Sequence, residues 1–316
     1  MQTLEATDPG KTKRKVKAKW IIWPLAILLV LLALGYVGVS VYGAMKFTTS
    51  TFYNIKDLGP DTPAARGMPY QDITFKTTDA AQLTIYGWWI PRTDSDKVLI
   101  LVHSKDGTRT FLLPFGQRLW QEGFNILMFD TRGQGQSEGE RYSFGLYEKY
   151  DVLGAVNFVT GKGFLPGKIG VVGWSMGAPA ALLAMSETPN IKAGLLDSSY
   201  GNLDRVAQET FTTWTGLPDF FYPGIKTAAS LLFNFDITQA NPEKVFPLLG
   251  DRKIFLIHAE KDQLIPVDEF YRLQKAGGAN IAESWLVPGV EHVRSFQTYP
   301  DEYTRRAVDF FNSQLK

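Results

Sequence analysis

The stretch Ile169–Ala181 reads Ile-Gly-Val-Val-Gly-Trp-Ser-Met-Gly-Ala-Pro-Ala-Ala. A short apolar, β-branched run ends at Gly-Trp-Ser-Met-Gly, residues 173–177, and an Ala- and Leu-rich helical run follows at once. This is a G-x-S-x-G pattern with a strand before it and a helix after it. The residues two before and two after Ser175 must be small, because only then can the strand and helix backbones approach closely while the serine Oγ stays exposed. The stretch predicts a sharp strand-to-helix turn with a nucleophilic Ser175 at its tip.

Strand-like and helix-like segments alternate on both sides of that stretch. Continuous apolar runs such as Val98–Val102 and Asn125–Phe129 are typical of strands buried on both faces. Strands are predicted at 73–77, 83–89, 98–102, 125–129, 169–173, 191–196, 252–258 and 282–287, and helices at 111–121, 147–159, 267–275 and 295–313. The alternation predicts an α/β protein with a mostly parallel, doubly covered sheet. Right-handed crossovers then place functional loops at the carboxyl ends of the strands.

One segment, residues 198–242, interrupts this alternation. It carries a series of aromatic residues without strand periodicity, and it lies between the sixth and seventh predicted strands. We interpret it as an inserted cap. Its aromatic side chains either pack the cap onto the core or line a substrate pocket. These residues are Phe211, Trp214, Phe220, Phe221, Tyr222, Phe233 and Phe235.

Residues 20–45 contain no charged residue and predict one transmembrane helix. As a helix they would span roughly 39 Å, enough to cross a hydrocarbon core of about 30 Å. Trp20, Trp23, Tyr36 and Tyr42 lie toward the two ends, where amphipathic rings favour the membrane interface. A cleaved signal peptide is the alternative, but its apolar region is normally about 7–15 residues long. We therefore favour an uncleaved anchor.

The charge distribution gives this helix an orientation. Residues 1–19 hold six basic and two acidic residues, a net charge of +4 in a chain whose total is +1. This basic tail precedes the span and only Lys46 follows it closely, which predicts a cytoplasmic N-terminus and a large domain outside the cytoplasm. A nucleic-acid-binding arm is the alternative, but adjacency to the span favours anionic lipid. We expect a single-pass protein of the cell membrane, with a stalk at 46–69 leading to a domain at 70–316.

Composition excludes several kinds of chemistry. The chain has no cysteine, and therefore no disulfide, no thiolate nucleophile and no Cys-ligated metal. Its three histidines, His103, His258 and His292, do not have the close spacing of a zinc-binding helix. The sequence also lacks a Walker-type phosphate loop and a complete dinucleotide-binding fingerprint. We expect neither a metal nor a cofactor.

Residues that could activate the serine lie at two other strand ends. A serine hydroxyl is a good nucleophile only when a base removes its proton and an acid holds the tautomer of that base. Asp262 and His292 both lie just past the carboxyl ends of predicted strands, and they form the candidate triad with Ser175. Asp197, at the end of the sixth strand, is the alternative acid. His258 is interpreted as a strand-end residue that supports the acid loop.

A hydrolytic serine also needs backbone N–H groups aimed at the developing oxyanion. One is expected from Met176, the residue after the nucleophile. The other is expected from the loop after the third strand, at Ser104 or Lys105. His103 begins that loop and is expected to shape it rather than to transfer a proton.

From about residue 70 to 316 the chain resembles the α/β-hydrolase superfamily, in its membrane-anchored branch. Four matches carry the resemblance: the His103 loop, Asp-Thr-Arg-Gly-Gln-Gly-Gln-Ser at 130–137, the pentapeptide at 173–177, and Asp262 with His292. The resemblance implies the α/β-hydrolase fold and serine-hydrolase chemistry. It also implies a structural role for the second motif, in which Asp130 and Arg132 are a pair that holds a turn. The superfamily usually has glycine after the loop histidine, and Ser104 in that position narrows the approach to the oxyanion.

Three functions fit these residues. The first is hydrolysis of carboxylic esters, in which Ser175 attacks, His292 acts as base and then acid, and Asp262 orients it. An aromatic cap beside a bilayer suggests small-molecule or lipid esters with an apolar chain. The second is cleavage of peptides or amides by the same residues, because Trp174 also fits the serine aminopeptidase relatives. The third is a non-catalytic binding protein with the same fold. We favour the first, with the bilayer at residues 20–45 as a partner and no nucleic acid; the sequence names no protein partner.

Overall fold

A mostly parallel β-sheet forms the centre of the protein. The strands are β1 (Gln71–Lys76), β2 (Thr84–Ile90), β3 (Val98–Val102), β4 (Asn125–Phe129), β5 (Ile169–Trp174), β6 (Ile191–Asp197), β7 (Lys253–Ala259) and β8 (Ile281–Val287). In the computed structural model, which describes residues 19–52, 54–55 and 57–316, they form one sheet in the order β1-β2-β4-β3-β5-β6-β7-β8. β2 pairs antiparallel with β1 and β4, and every other pairing is parallel. The predicted α/β fold class is confirmed, and the predicted strands agree with the observed ones to within two residues.

Helices cover both faces of this sheet. They are α1 (Lys19–Thr48), α2 (Leu113–Gln121), α3 (Glu148–Gly161), α4 (Gly177–Glu187), α5 (Leu203–Thr215), α6 (Tyr222–Phe233), α7 (Asp268–Gly277), α8 (Ser295–Thr298) and α9 (Pro300–Gln314). Along β3, Leu99 and Leu101 point to the apolar cluster beneath α2 and α9, whereas Ile100 points to the cluster beneath α3 and α4. Because side chains alternate along a strand, a strand covered on both faces must be apolar throughout. Each such buried side chain contributes roughly 1.5–3 kcal/mol.

The segment between β6 and β7 carries the cap helices α5 and α6. α5 begins where Asn202 Oδ1 accepts the Arg205 N–H at 3.0 Å, and it ends at Gly216, whose φ of 69° suits a glycine. A third apolar cluster lies beneath these helices and joins them to α1. Its buried members include Ala44, Leu203, Phe211, Ile225 and Phe235.

The N-terminal helix α1 is partly free and partly packed. Within it, Ile22–Thr48 is long and apolar enough to cross a membrane. The helix is mostly exposed as far as Gly35, but beyond that point it packs on α6, and a Cβ at Gly43 would lie 2.5 Å from Ile225 Cδ1. The predicted basic tail lies outside the described residues, except for Lys19.

The segment predicted to be a stalk, 46–69, is bound to the domain at 70–316 instead of leading away from it. Ser50 Oγ donates to Asp106 Oδ1 at 3.1 Å, and Phe52 O accepts the Gly135 N–H at 2.6 Å. Met68 is buried in the core. The Pro-, Gly- and Thr-rich composition carries no information about what such a segment contacts.

The last predicted helix, 295–313, is two helices. Pro300 breaks it, because proline restricts the residue before it to an extended backbone and cannot donate its own N–H. Tyr299 accordingly leaves the helical region, with φ −128° and ψ 60°, and Pro300 becomes the first residue of α9.

Candidate active site

Ser175 sits on a strained turn between β5 and α4. Its φ is 51°, a left-handed conformation that is uncommon for a residue with a Cβ. The neighbouring glycines explain how the turn closes: a Cβ at Gly173 would lie 2.3 Å from the Gly177 oxygen. A Cβ at Gly177 would in turn lie 2.3 Å from the Val102 oxygen at the end of β3. The G-x-S-x-G spacing is therefore a packing requirement at both glycines.

Ser175, His292 and Asp262 form an unbroken hydrogen-bonded chain. Ser175 Oγ lies 2.8 Å from His292 Nε2, and His292 Nδ1 lies 2.6 Å from Asp262 Oδ2. The other oxygen of Asp262 accepts the N–H groups of Leu264 and Ile265 at 2.9 and 2.8 Å. With its carboxylate fixed in this way, Asp262 accepts a hydrogen bond from the His292 Nδ1–H, which leaves the Nε2 lone pair for the serine hydroxyl.

The loop that carries the histidine is itself strained. Val293, the residue after His292, has φ 56°. A β-branched side chain rarely adopts a left-handed backbone, and such strain persists only where the surrounding structure maintains it. The loop is held in part by Lys261, whose N–H donates to the Val290 oxygen at 2.8 Å. This contact ties the histidine loop to the acid loop.

Asp197, the alternative acid, faces other partners. Its carboxylate accepts hydrogen bonds from Ser198 Oγ and Tyr303 OH, both at 3.0 Å, and Tyr303 OH accepts the Trp174 indole N–H at 2.9 Å. Burial raises the pKa of Asp197 to about 6. The structure thus brings Asp262, and not Asp197, to His292. Tyr303 is a member of this site that sequence reasoning missed, because it lies in a helix far from every motif.

The other two histidines, His258 and His103, form hydrogen bonds that hold loops, and none of these bonds is to Ser175. His258 Nε2 lies 3.1 Å from the Ile265 oxygen, so this nitrogen carries the proton and supports the acid loop as expected. Burial lowers the pKa of both His258 and His103, which keeps both rings neutral. Among residues 19–52, 54–55 and 57–316, no group of three or more Asp, Glu or His side chains is placed to hold a metal ion.

His103 holds the loop that follows β3. Its Nε2 accepts the Thr131 N–H at 3.0 Å, so Nδ1 carries the proton and donates to the Ser104 oxygen at 2.7 Å. This bond fixes the plane of the Ser104–Lys105 peptide, since the atoms of a peptide unit are coplanar. Ser104, Lys105 and Met176 all line the same cavity as Ser175.

The motif 130–137 is a buried, hydrogen-bonded loop, but Asp130 and Arg132 hold it through separate partners. Asp130 accepts from the backbone N–H and the guanidinium of Arg109, both at 2.7 Å. Arg132 pairs with Asp151 at 2.7 Å and with Asp79 at 2.8 Å. The expectation that Asp130 and Arg132 pair with each other is corrected to three ion pairs with other residues, because the motif alone does not show that Arg109, Asp151 and Asp79 lie nearby.

A cavity of about 1040 Å³ opens onto the serine. Helix α1 contributes one wall, with Val39, Tyr42, Gly43, Lys46 and Phe47. The segment 198–242 contributes Tyr200, Leu203, Thr213, Trp214, Thr215 and Leu217, and the rest of the domain contributes residues that include Phe111, Phe144 and Arg294. Of the cap aromatics singled out in the sequence, Trp214 lines the cavity, whereas side chains such as Phe211 and Phe235 are buried in the cap.

The contribution of α1 to the cavity was missed from the sequence. An apolar helix has the same sequence pattern whether it contacts lipid or protein. The available signal was the change in composition within the helix, since the aliphatic run 25–34 is followed by a stretch, 35–43, that contains glycine, tyrosine and serine residues. Small and polar residues in such helices mark the face that contacts protein.

The comparisons with known proteins indicate the same class of fold as the strand order and the turn at Ser175. Residues 93–246 match the family model described as serine aminopeptidase, S33. The esterase Pf2001 of Pyrococcus furiosus has a TM-score of 0.67 and 27% identity, with 84% of this chain and 100% of that chain covered. The chain belongs to the α/β-hydrolase superfamily and is a hydrolase.

Two further relatives are similar in sequence to this chain. The uncharacterized protein YfhR of Escherichia coli (strain K12) is 27% identical over 300 residues, which are 90% of this chain and 95% of that protein. An uncharacterized membrane protein of Saccharomyces cerevisiae is 29% identical over 154 residues, which are 48% of this chain and 53% of that protein.

Proposed function

We propose that the protein is a membrane-anchored serine hydrolase that cleaves carboxylic esters. The observation that carries the proposal is the hydrogen-bonded chain from Ser175 through His292 to Asp262 at a strained strand-to-helix turn. The serine faces a cavity large enough for a small-molecule or lipid ester.

The reaction runs in two steps. His292 Nε2 takes the Ser175 proton while Oγ bonds to the ester carbonyl carbon, and the proton then passes to the alcohol oxygen as its bond to that carbon breaks. Water, deprotonated by His292, next attacks the acyl-serine, which releases the carboxylic acid and returns the proton to Ser175. Asp262 orients the imidazole and stabilises its charged form in both steps.

The negative charge that forms on the carbonyl oxygen requires preorganised donors. We assign this role to the backbone N–H of Met176 together with that of Ser104 or Lys105, since all three residues line the cavity beside Ser175. The contact between Gly177 and the β3 end brings these two segments together. Removal of one such donor typically costs about 10²–10³ in kcat.

A peptidase or amidase is the second candidate, because the matching family model is described as a serine aminopeptidase. The same triad serves both reactions, so specificity depends on the cavity and not on the chemistry. The apolar cap and α1 lining favour an ester with an apolar acyl chain. Profiling of the purified full chain against ester and peptide libraries separates the two, and a clear preference for peptides would refute the ester assignment.

The decisive experiment is reaction with a fluorophosphonate probe, which bonds covalently to an activated serine. We expect the wild-type protein to be labelled and Ser175→Ala not to be. Ser175→Ala should also lower the hydrolysis of a short p-nitrophenyl ester by several orders of magnitude, on the order of 10⁶-fold where a triad acts as a unit.

Ser186→Ala is the matched control, because Ser186 lies on α4 and its hydroxyl donates to the Leu183 oxygen. This variant should be labelled as the wild type is. Labelling that persists in Ser175→Ala, or its absence from the wild type, would support the non-catalytic binding protein instead.

The membrane anchor is part of the proposal. Ile22–Thr48 meets the length and hydropathy needed to cross a bilayer, and a relative from yeast is described as a membrane protein. We assign the protein to the cell membrane as a single-pass protein, with residues 1–19 in the cytoplasm and the hydrolase domain outside it, from the position of the basic residues.

A further inference from the structure

The exposed part of α1 is too short to cross a bilayer. From Trp20 to Gly35 the helix is free of the hydrolase domain, and these sixteen residues rise roughly 24 Å. A hydrocarbon core is about 30 Å thick and needs about twenty residues. If the membrane-spanning part of α1 begins at Trp20, it therefore extends to about Val39. Tilt of the helix would place still more residues within the hydrocarbon core.

The cap packs on that remaining part of the span. We define the cap tip as Leu217–Gly224, the turn and first residues that lead into α6. Its Phe220 and Phe221 rings stack on Tyr36, with centroids 6.0 and 5.3 Å apart. A Cβ at Gly224 would lie 2.3 Å from Ser40 Oγ. If α1 crosses the membrane, the cap tip lies at the level where the hydrocarbon ends.

The surface of the cap tip suits that depth. Phe220 is 61% exposed although it is a large apolar side chain, and Pro218 and Pro223 are exposed beside it. Its one charged residue is Asp219, which accepts a hydrogen bond from Thr212 Oγ1 at 2.7 Å. Aromatic and apolar side chains at the end of a soluble domain, continuous with a transmembrane helix, are typical of contact with lipid.

The catalytic cavity reaches the same level. Val39 and Tyr42 of α1 and Leu217 of the cap tip line it, together with Ser175. Lys46 lies about one turn beyond Tyr42 along α1 and lines the cavity with Arg294. Neither side chain has a carboxylate partner among the described residues. Cations just outside the hydrocarbon favour anionic groups of lipids. The cavity is thus apolar where it meets the bilayer core and cationic where it meets the headgroups.

Resting on the proposed ester hydrolase and its anchor, we infer that the cap tip is seated in the outer leaflet and that the cavity takes its substrate from that leaflet. The substrate is an acyl ester of an amphiphilic lipid. Its acyl chain enters the cavity past Val39, Tyr42 and Leu217, and its polar headgroup lies toward Lys46 and Arg294. The acyl carbon bonds to Ser175 Oγ, the lipid alcohol leaves with the proton from His292, and water then releases the fatty acid.

The test of substrate entry uses the full chain in phosphatidylcholine vesicles. Release of fatty acid is measured from phosphatidylglycerol, lysophosphatidylglycerol and monooleoylglycerol carried in those vesicles, beside hydrolysis of water-soluble p-nitrophenyl acetate. Phe220→Asp should lower hydrolysis of the vesicle-borne esters about tenfold or more, because a carboxylate opposes insertion at that depth. It should leave p-nitrophenyl acetate hydrolysis within about twofold, since this substrate arrives from water.

Leu231→Asp is the matched control. Leu231 lies on α6 and is 78% exposed, but α6 runs in the same direction as α1, so it lies roughly 10 Å further from the membrane than Gly224. This variant should retain both activities. Equal loss in the two variants, or equal loss on both kinds of substrate in Phe220→Asp, would overturn the inference.

A second measurement is independent of activity. The chain has no cysteine, so Phe220→Cys and Leu231→Cys each accept one environment-sensitive fluorophore. In vesicles, the probe at 220 should be quenched by spin-labelled lipid and the probe at 231 by aqueous iodide. Quenching of the 220 probe from water alone would refute the seating of the cap, even where Ser175 reacts with a fluorophosphonate. Failure of that labelling would instead refute the hydrolase assignment and leave the depth result intact.

Discussion

Two buried carboxylates, Asp197 and Asp262, lie near the same imidazole and differ only in what they contact. Asp262 bonds to His292 and to two backbone N–H groups, whereas Asp197 bonds to Ser198 and Tyr303. From the sequence, both residues followed strands at the catalytic edge, and only the spatial distances distinguish them.

This difference gives a paired prediction on activity. Asp262→Asn should lower kcat by on the order of 10³–10⁴, because the amide no longer holds the productive tautomer of His292. Asp197→Asn should stay within about tenfold of the wild type, because the amide oxygen can still accept from Tyr303 OH while the amide NH2 donates to Ser198 Oγ. Hydrolysis of p-nitrophenyl acetate by the two purified variants measures both, and the reverse ranking would make Asp197 the triad acid.

Asp197 also gives a prediction on stability. Burial raises its pKa to about 6 from an ordinary value of 3.8, so between these values the folded protein holds a proton that the unfolded chain has lost. Stability therefore falls as pH rises through that window, by up to about 3 kcal/mol for a shift of about two units. In urea unfolding of detergent-solubilised protein, Asp197→Asn should gain stability relative to wild type between pH 4 and pH 7. A pH-independent difference would contradict the raised pKa.

At the scale of elements, the sheet was predictable and the ends of helices were less so. β3 and β4 were located to the residue, because strands covered on both faces are continuous apolar runs. The break before α9 had a signal in Pro300, but the periodicity on either side of it is continuous. The ion pairs of Arg109 and Arg132 had no signal, because partners far apart in the sequence leave no periodic trace.

The contact between α1 and α6 gives a prediction about packing. Gly43→Leu must displace Ile225, whose Cδ1 would lie 2.5 Å from the new Cβ, and we expect a loss of about 1–3 kcal/mol. Gly38→Leu is the control, because a Cβ at Gly38 meets open space. Thermal unfolding in detergent and protease cleavage near Gly216 report cap stability, and indistinguishable variants would argue against the contact.

At the scale of the whole molecule, the charge argument predicts which side of the membrane holds the enzyme. Leu165 is 66% exposed on the hydrolase domain, and Leu165→Cys introduces a single thiol. On intact cells with one membrane, an impermeant maleimide should label this thiol at once. A cysteine placed in residues 1–18 should react only after permeabilisation. The opposite pattern would reverse the orientation.

The largest difference between expectation and structure is also at this scale. By composition, the sequence divides into a predicted anchor, a predicted linker and a catalytic domain. In the structure all three are in contact, since 46–69 is bound along the domain and α1 forms one wall of the cavity. Hydropathy cannot show this junction, because lipid and a protein interior select the same side chains.

The contact between Gly43 and Ile225 can form only late in synthesis, because its two residues lie far apart in the chain. α1 is made long before α6, so in the proposed topology the cap closes against a helix that already lies in the membrane. In the proposed topology, the cavity wall is completed only after the chain beyond residue 48 has crossed the bilayer and folded back onto α1. On that proposal, a chain still on the cytoplasmic side has its serine and histidine but no finished binding site, and hydrolysis of lipid esters begins only after the domain has crossed.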